Sequence, residues 1–340
     1  MRTVRIFDRR TCEIAERPDP MPSGDLVVVK NLVAPMCTEY KSYDAGHASE
    51  NLGHEAAGEI LEVAQPGRVR VGDRVVVMPQ YPCGVCSLCV TGDYIHCQSG
   101  VDPLRTSGNR TGTATYATHV LKPDWLLLPV PDDIPLEHAA MACCGLGPTF
   151  GAMQRMRVTA LDTVLITGLG PVGLGGVVNA VFRNARVIGV ESHPYRAQLA
   201  LELGAAAVVD PNDNPIHRIR ELTDGRYPSV GIDCSGSAAA QRLLIDCVRR
   251  RGQVTFVGEA GDLTVHVSND LIRKGLTLHG QWHYNLGEAP ALFEVIRRSA
   301  ARIDRMITHT FPLERVRDAF ERQLTGNCGK VLLKPWEANA

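Results

Sequence analysis

The stretch that most restricts the fold is "TVLITGLGPVGLGGVV", residues 163–178. A hydrophobic run leads directly into Gly168-x-Gly170-x-x-Gly173, and a helical pattern follows. The first glycine permits a tight turn, the second lets a pyrophosphate approach the backbone, and the third lets helix and strand pack closely. The next predicted strand ends in Glu191, at about the ~20-residue spacing expected for a ribose-binding carboxylate. Together these features predict a dinucleotide-binding βαβ unit.

The acid at the end of the second strand bears on which dinucleotide binds. Glu191 would accept hydrogen bonds from ribose hydroxyls and repel a 2′-phosphate, which favours NAD over NADP. Arg196 is close enough in sequence to keep NADP open. A glycine-rich turn that binds nothing is the alternative, but every part of the motif stands in the required order. The motif's predicted cofactor-binding residues are Gly168, Gly170, Pro171, Val172, Gly173, Glu191 and Arg196.

The rest of the chain divides into two regions that differ in their pattern of residue types. Up to about residue 130, short β-branched runs are separated by Gly, Pro and Asp, which indicates a β-rich domain. From Asp162 onward apolar strands alternate with helical stretches, which predicts a parallel sheet covered by helices on both faces. Small residues after Pro135 indicate a helix and a crossing between domains, and "GKVLLKP" is a last strand that returns to the first domain.

Composition narrows the class of partner. A chain of 340 residues with 44% hydrophobic and 21% charged residues fits a globular protein of two domains. A net charge of -1 gives no electrostatic reason to expect nucleic acid or an anionic membrane. The N-terminal "MRTVRIFDRR" lacks the apolar core and cleavage site of a signal peptide. We therefore expect a cytoplasmic protein that acts on a small molecule.

Eleven cysteines in such a chain indicate metal rather than disulfides, because the cytosol keeps thiols reduced. Four of them share one short loop with x2, x2 and x7 spacing: Cys83, Cys86, Cys89 and Cys97. Four thiolates so close suit the closed tetrahedral coordination of structural zinc. A redox CxxC needs only two cysteines, and an iron–sulfur cluster is the remaining alternative.

A second group of metal-ligating residues is dispersed along the chain. Cys37 stands alone, His54 and Glu55 follow in "LGHEAAG", and "ACCGLGP" supplies Cys143 and Cys144. A Cys, a His and a distant Cys with an open fourth position are what a catalytic zinc requires. The alternative is that His54 is an ordinary surface or core histidine that binds no metal.

At these residues the chain resembles the zinc-containing alcohol dehydrogenases of the medium-chain dehydrogenase/reductase superfamily, over nearly its full length. The matching pieces are the single cysteine before "GHE", "VGDRVVV", the four-cysteine loop, "ITGLGPVG" and "DCSG". The resemblance implies a GroES-like catalytic domain (1–148 and 288–340) and an inserted Rossmann domain (149–287). It also implies two zincs per subunit, a nicotinamide cofactor and a homo-oligomer, either dimer or tetramer.

The resemblance assigns roles to single residues. Cys37 and His54 match the first two catalytic-zinc ligands, and Cys144 matches the third by its distance to Phe150. Glu55 matches a carboxylate that lies behind the zinc or ligates it transiently. Ser235 and Trp282 join the cofactor-binding residues, and His283 is either a substrate ligand or a structural residue. The cysteines without a match, read as packing residues, are Cys12, Cys234, Cys247 and Cys328.

The opening motif departs from the family pattern. Relatives read Cys-x-[Ser/Thr]-Asp and carry a histidine five places after the cysteine, and the hydroxyl and histidine relay the alcohol proton. Here Glu39, Tyr40 and Ser42 occupy those positions. Thr38 keeps a hydroxyl one residue early, on a predicted strand that points it to the other face. Either Glu39 is the base itself, or it points to solvent and the proton leaves through water or substrate hydroxyls. The predicted catalytic residues are Glu39, Thr38 and Glu55.

The predicted reaction is hydride transfer between a polyhydroxylated secondary alcohol and NAD, with Glu39, Tyr40 and Asp44 available to bond extra hydroxyls. Simple alcohols, or threonine-like amino alcohols with Glu39 as the ammonium partner, are alternatives. A zinc-stabilised nucleotide-binding module without turnover is a third interpretation. The missing relay residues favour it, and the intact ligand set of Cys37, His54 and Cys144 opposes it.

Overall fold

The computed structural model describes residues 1–337 and divides the chain into two compact units. The first unit comprises residues 1–144, 285–297 and the chain from Ile307 onward, and the second comprises residues 145–284 and 298–306. The chain crosses between them at 144/145 and 284/285, a few residues before the predicted crossings at 148/149 and 287/288. The second unit also takes residues 298–306, which the sequence interpretation gave to the first domain.

The described residues form both strands and helices throughout. The strands are β1 Arg2–Asp8, β2 Thr11–Glu16, β3 Leu26–Pro35, β4 Ala56–Glu62, β5 Arg74–Val77, β6 His119–Pro123, β7 Leu127–Pro129, β8 Thr163–Thr167, β9 Arg186–Val190, β10 Ala207–Val209, β11 Val230–Asp233, β12 Gln253–Phe256, β13 Thr277–Gly280, β14 Ile307–Pro312 and β15 Lys330–Lys334. The α-helices are α1 Glu39–Ala45, α2 Ser87–Val90, α3 Pro103–Ser107, α4 Leu136–Ala139, α5 Gly147–Met156, α6 Pro171–Phe182, α7 Pro194–Leu203, α8 Pro215–Leu222, α9 Ala238–Cys247, α10 Ala289–Arg298, α11 Ala300–Met306 and α12 Val316–Leu324. The mixed α/β class predicted from the sequence is confirmed.

The first unit is built on a largely antiparallel sheet. Its strands run in the order β14-β15-β3-β4-β5-β7, β6 pairs with β3, and β1 and β2 form a separate pair. Alternating valines, such as Val27 and Val29 in β3 and Val75 and Val77 in β5, pack into one buried cluster. The C-terminal strand β15 pairs antiparallel with β3, so its predicted return to the first domain is confirmed.

The second unit contains the predicted parallel sheet. Its order is β10-β9-β8-β11-β12-β13, and every pairing is parallel. The strand order reverses between β8 and β11, and open α/β sheets bind their ligands outside the carboxyl ends of the strands at such a point. Thr167 and Asp233, the last residues of β8 and β11, lie side by side there.

The glycine motif has the geometry that its spacing predicts. Gly168 adopts φ +77°, a left-handed conformation that strains a residue with a β-carbon. A β-carbon on Gly173 would lie 1.9 Å from the Gly168 carbonyl oxygen, so helix and strand approach too closely for a larger residue. A β-carbon on Gly170 would meet nothing within 4 Å, which leaves space above the backbone for a ligand.

Between residues 1 and 337, every helix is too short or too polar to cross a membrane. The apolar run 163–182, long enough for a span by residue count, forms β8 and α6 instead.

Candidate metal centres and cofactor cleft

The dispersed metal-ligating residues come together in the first unit. Cys37 lies between β3 and α1, His54 and Glu55 immediately precede β4, and Cys144 is the last residue before the chain enters the second unit. Since β3 and β4 are antiparallel neighbours, the end of one strand and the start of the other lie together. One potential ligand atom from each of these four residues lies within 4.8 Å of the other three.

The two ring nitrogens of His54 have different surroundings. Nε2 lies 3.3 Å from the Cys144 sulfur, close to the ~3.6 Å that separates a nitrogen and a sulfur on one tetrahedral zinc. Nδ1 lies 2.7 Å from Glu39 Oε1. A ligating histidine commonly donates its second N–H to a carboxylate, which fixes the ring and its tautomer. This geometry leaves Nε2 as the nitrogen that could face a metal and suits Nδ1–H as the donor to Glu39.

Glu39 is held on both oxygens and is not turned to solvent. Its Oε2 accepts a hydrogen bond from the Tyr116 hydroxyl (2.8 Å) and one from the Cys37 amide (3.3 Å). Its side chain is only 12% exposed, so the solvent-facing alternative is wrong. Burial opposes ionisation, but the hydrogen bonds from His54 and Tyr116 lower the pKa of Glu39 to about 2.

Tyr116 connects the backbone of Cys37 to the side chain of Glu39. Its ring is fully buried, and its hydroxyl accepts the Cys37 N–H (3.1 Å) while donating to Glu39. Sequence reasoning missed this residue, because it lies 77 positions from Glu39 and belongs to no metal-binding motif.

Glu55 is an internal ion-pair partner. Its oxygens lie 2.8 and 3.1 Å from Lys330 Nζ, and both side chains are completely buried. Oε2 also accepts the Cys144 amide (3.1 Å), and Oε1 lies 3.9 Å from His54 Nε2. Burial raises the pKa of Glu55 to about 7 although Lys330 opposes the shift. The geometry favours a carboxylate behind the ligands. Lys330, 275 positions away, carried no signal in the sequence.

The thiols of this centre are not equivalent. The Cys144 thiol hydrogen-bonds to Cys37 and, with His54 and Lys330, holds the pKa of Cys37 well below its usual range despite burial. The pKa of Cys144 is raised by that same bond and by burial. Two sulfurs, an imidazole and a carboxylate are a donor set that suits zinc.

The four-cysteine loop has the dimensions of a tetrahedral site. The sulfur separations are 3.6 Å for Cys83–Cys97, 3.5 Å for Cys86–Cys89, and 3.9 Å for both Cys83–Cys89 and Cys86–Cys97. Four sulfurs at the usual zinc–sulfur distance of ~2.3 Å lie ~3.8 Å apart. All four thiols are free of disulfides. The residues fit one structural zinc.

The structure differs from two expectations about the opening motif. Thr38 lies on no strand; it is the exposed residue before α1, and its side chain caps nothing. Asp44 is no free hydrogen-bonding group at the centre, because it pairs with Arg10 at 2.9 Å, and Tyr40 packs against a hydrophobic cluster. The cause is the start of a helix at Glu39, which replaces the alternation of a strand with helical periodicity.

The second unit contains a cleft of about 380 Å³ at the carboxyl end of its sheet. Its lining includes Thr167, Gly168, Glu191, Ser235 and Ser237. Glu191 Oε2 accepts the Leu169 amide (2.8 Å), and Oε1 accepts the amides of Ser192 and His193 (3.0 and 2.9 Å). The carboxylate is therefore oriented by backbone groups at the edge of the cleft.

The other predicted residues of the second unit differ in position. Pro171 and Val172 begin α6, directly after Gly170 at its N-cap, and Arg196 is half-buried in the first turn of α7. Trp282 is 46% exposed. His283 is buried with its ring centroid 5.0 Å from that of Tyr284, which favours its structural alternative. Of the four cysteines predicted to pack, Cys247 and Cys328 are buried and Cys12 and Cys234 half-buried.

Comparisons with known proteins agree with both units. Residues 23–132 match the family described as "Alcohol dehydrogenase GroES-like domain", and residues 171–298 match "Zinc-binding dehydrogenase". D-arabitol-phosphate dehydrogenase of Enterococcus avium is 31% identical over 83% of this chain and 81% of its own length. L-threonine 3-dehydrogenase of Pyrococcus horikoshii is 29% identical over 94% of both chains. The structure of alcohol dehydrogenase TADH from Thermus sp. ATN1 superposes with a TM-score of 0.87 at 24% identity, over 98% of this chain and 99% of that one.

Proposed function

Since this chain belongs to the zinc-containing alcohol dehydrogenase family of the medium-chain dehydrogenase/reductase superfamily, an alcohol oxidoreductase family, we propose that it is a zinc- and NAD-dependent dehydrogenase. Its reaction is hydride transfer between a polyhydroxylated secondary alcohol and NAD. The observation that carries this proposal is the cluster of Cys37, His54 and Cys144, in which His54 is oriented by Glu39.

In this proposal Cys37, His54 Nε2 and Cys144 would hold a zinc ion that the substrate oxygen can reach. Zinc bound there supplies a Lewis acid that polarises that oxygen, while the nicotinamide accepts or delivers the hydride. Glu55, paired with Lys330, lies behind the two cysteine sulfurs. The four-cysteine loop holds the second, structural zinc.

Glu39 in this proposal positions His54 and is not the base. Both of its oxygens are held, one by His54 and the other by Tyr116 and the Cys37 amide. The alcohol proton therefore leaves through water or through hydroxyls of the substrate itself. Thr38, exposed before α1, is not part of this path.

NAD is the proposed dinucleotide because of Glu191. Three backbone amides hold its carboxylate at the edge of the cleft. A carboxylate offers about four acceptor positions, which leaves room for a ribose hydroxyl. A 2′-phosphate at the same place would meet a fixed negative charge.

The substrate class is proposed from one of the relatives. The D-arabitol-phosphate dehydrogenase supports a polyol or polyol derivative. The threonine 3-dehydrogenase supports the amino-alcohol alternative, although Glu39 is already bonded to His54 and unavailable to an ammonium group. A module without turnover is disfavoured by the complete ligand cluster.

The test is NADH formation by the purified enzyme with polyols, polyol phosphates, sugars, cyclitols, simple alcohols and threonine, each with NAD and NADP. Turnover of a polyhydroxylated compound with NAD, lost in Cys37→Ser, is the expected result. Turnover of threonine alone would move the proposal to amino alcohols. Cofactor binding without turnover of any compound would contradict it.

A homo-oligomer and a cytoplasmic location follow from resemblance and composition alone, and both stay predictions. Light scattering of the purified enzyme measures the first, and fractionation of the producing cells measures the second.

A further inference from the structure

Asp233, the last residue of β11, is completely buried although it carries a carboxylate. It lies beside Thr167 at the point where the strand order of the second unit reverses. In the part of the chain that the structure describes, this carboxylate forms no ion pair, and its hydrogen bonds come from neutral donors. A buried charge without a counter-ion is costly unless hydrogen bonds hold it.

Those hydrogen bonds saturate the carboxylate. Oδ1 accepts the hydroxyl of Thr167 (2.8 Å) and both the amide (3.1 Å) and the hydroxyl (2.6 Å) of Ser235. Oδ2 accepts the amide of Gly236 (3.2 Å) and the side-chain amide of Gln241 (3.0 Å). Two carboxylate oxygens offer about four lone pairs, so these donors leave none free. An asparagine could not replace the aspartate, because its NH2 group would face two further donors.

Three loops meet around this side chain. A β-carbon on Gly168, after β8, would lie 2.6 Å from the β-carbon of Ser235, after β11. A β-carbon on Gly258, after β12, would lie 2.2 Å from the Gly236 nitrogen and 2.8 Å from Asp233 Oδ2. The loops therefore pack against one another and against the carboxylate without room for larger residues.

The segments after β8 and β11 supply one wall of the cleft, because Thr167, Gly168, Ser235 and Ser237 all line it, whereas Asp233 does not. We propose that Asp233 is a positioning residue of the dinucleotide site: its buried carboxylate fixes the loops that contact the cofactor. The inference rests on the proposed function, which assigns this cleft to NAD. A cleft whose wall is only partly ordered binds with an affinity reduced by the fraction of the protein that is competent.

The test is a fluorescence titration with NADH, with the melting temperature measured on the same samples. Asp233→Asn removes the charge, and Thr167→Val removes one donor. Thr255→Val is the matched control, since Thr255 is an equally buried threonine of β12 whose hydroxyl contacts the Met156 sulfur and no cofactor loop. We expect NADH to bind roughly tenfold or more weakly to Asp233→Asn and a few-fold more weakly to Thr167→Val. The control should keep wild-type affinity for NADH even where its melting temperature falls. In Asp233→Asn the KM for NAD should rise, while the KM for the alcohol should not.

The outcomes separate this inference from the proposed function. Wild-type affinity in Asp233→Asn, with only the melting temperature lowered, would show a purely structural residue and overturn the inference alone. If Asp233→Asn does not fold, unchanged affinity in Thr167→Val overturns it equally. A wild-type enzyme that binds neither NADH nor NADPH would overturn the proposed function, and this inference with it.

Discussion

Replacement of Glu39 by glutamine tests the role of this carboxylate most sharply. The change keeps the shape of the side chain and removes its charge, at a site where His54 Nδ1 lies 2.7 Å from one oxygen and the Tyr116 hydroxyl 2.8 Å from the other. Glutamine can accept only through its carbonyl oxygen, so one of these two donors faces an NH2 group instead.

The size of the effect follows from these bonds. A hydrogen bond to a charged group contributes about 1.5–3 kcal/mol, against about 0.5–1.5 kcal/mol between neutral groups. The difference is about 1–1.5 kcal/mol per bond, so weakening one or both bonds costs about 1–3 kcal/mol of metal-binding free energy. That corresponds to roughly a ten- to hundredfold loss of zinc affinity, the range typical for partners of metal ligands.

The assay is competition for zinc with a chelator, read as metal retained per chain. In Glu39→Gln the zinc held by Cys37, His54 and Cys144 should be released at lower chelator concentration, while zinc in the four-cysteine loop is unaffected. Glu62→Gln, an exposed glutamate of β4 in the same unit, is the control and should retain both ions as the wild type does. Wild-type zinc retention in Glu39→Gln, with turnover lost and one limb of the pH–rate profile missing, would refute the positioning role and restore Glu39 as the base.

Three further changes test other parts of the account. Burial lowers the pKa of Lys122 to about 7, so between there and its unfolded value of about 10.4 the unfolded chain binds more protons and stability rises with pH. The free energy of unfolding in urea should rise between pH 7 and about pH 9.5 in the wild type, and it should rise less in Lys122→Met. An equal rise in both proteins would contradict the lowered pKa of Lys122. Cys97→Ser should lose one equivalent of zinc and several degrees of melting temperature, whereas unchanged zinc would exclude a metal in that loop. Glu191→Gln should narrow the ratio of kcat/KM for NAD over NADP, and an unaltered ratio would mean that another residue selects the cofactor.

The sequence was informative wherever function depends on local spacing. The glycine motif, the four-cysteine loop and the candidate ligands Cys37 and His54 stand out in the sequence because each belongs to a fixed pattern of residue types. The parallel sheet followed from the alternation of strands and helices, and the confirmed return of β15 followed from one apolar run.

The sequence failed where a role depends on contacts between distant segments. Tyr116 reaches Glu39 across 77 positions, Lys330 reaches Glu55 across 275, and Asp233 meets Thr167 only because their strands are neighbours. The misplacement of Thr38 has a local cause: the predicted strand continues through Cys37, whereas β3 ends at Pro35 and the short helix α1 begins at Glu39 and ends at Ala45. Glu39 begins that helix and contacts His54, and this contact does not follow from the predicted strand.

The zinc centre proposed at Cys37, His54 and Cys144, where alcohol is oxidised, is separate from the zinc of the four-cysteine loop. Its most direct test is the zinc content of the wild type and of Cys37→Ser, measured on samples whose NADH formation is also recorded. We expect two zinc ions per chain in the wild type, and one zinc ion together with loss of turnover in the variant. The same zinc content in both proteins would contradict it.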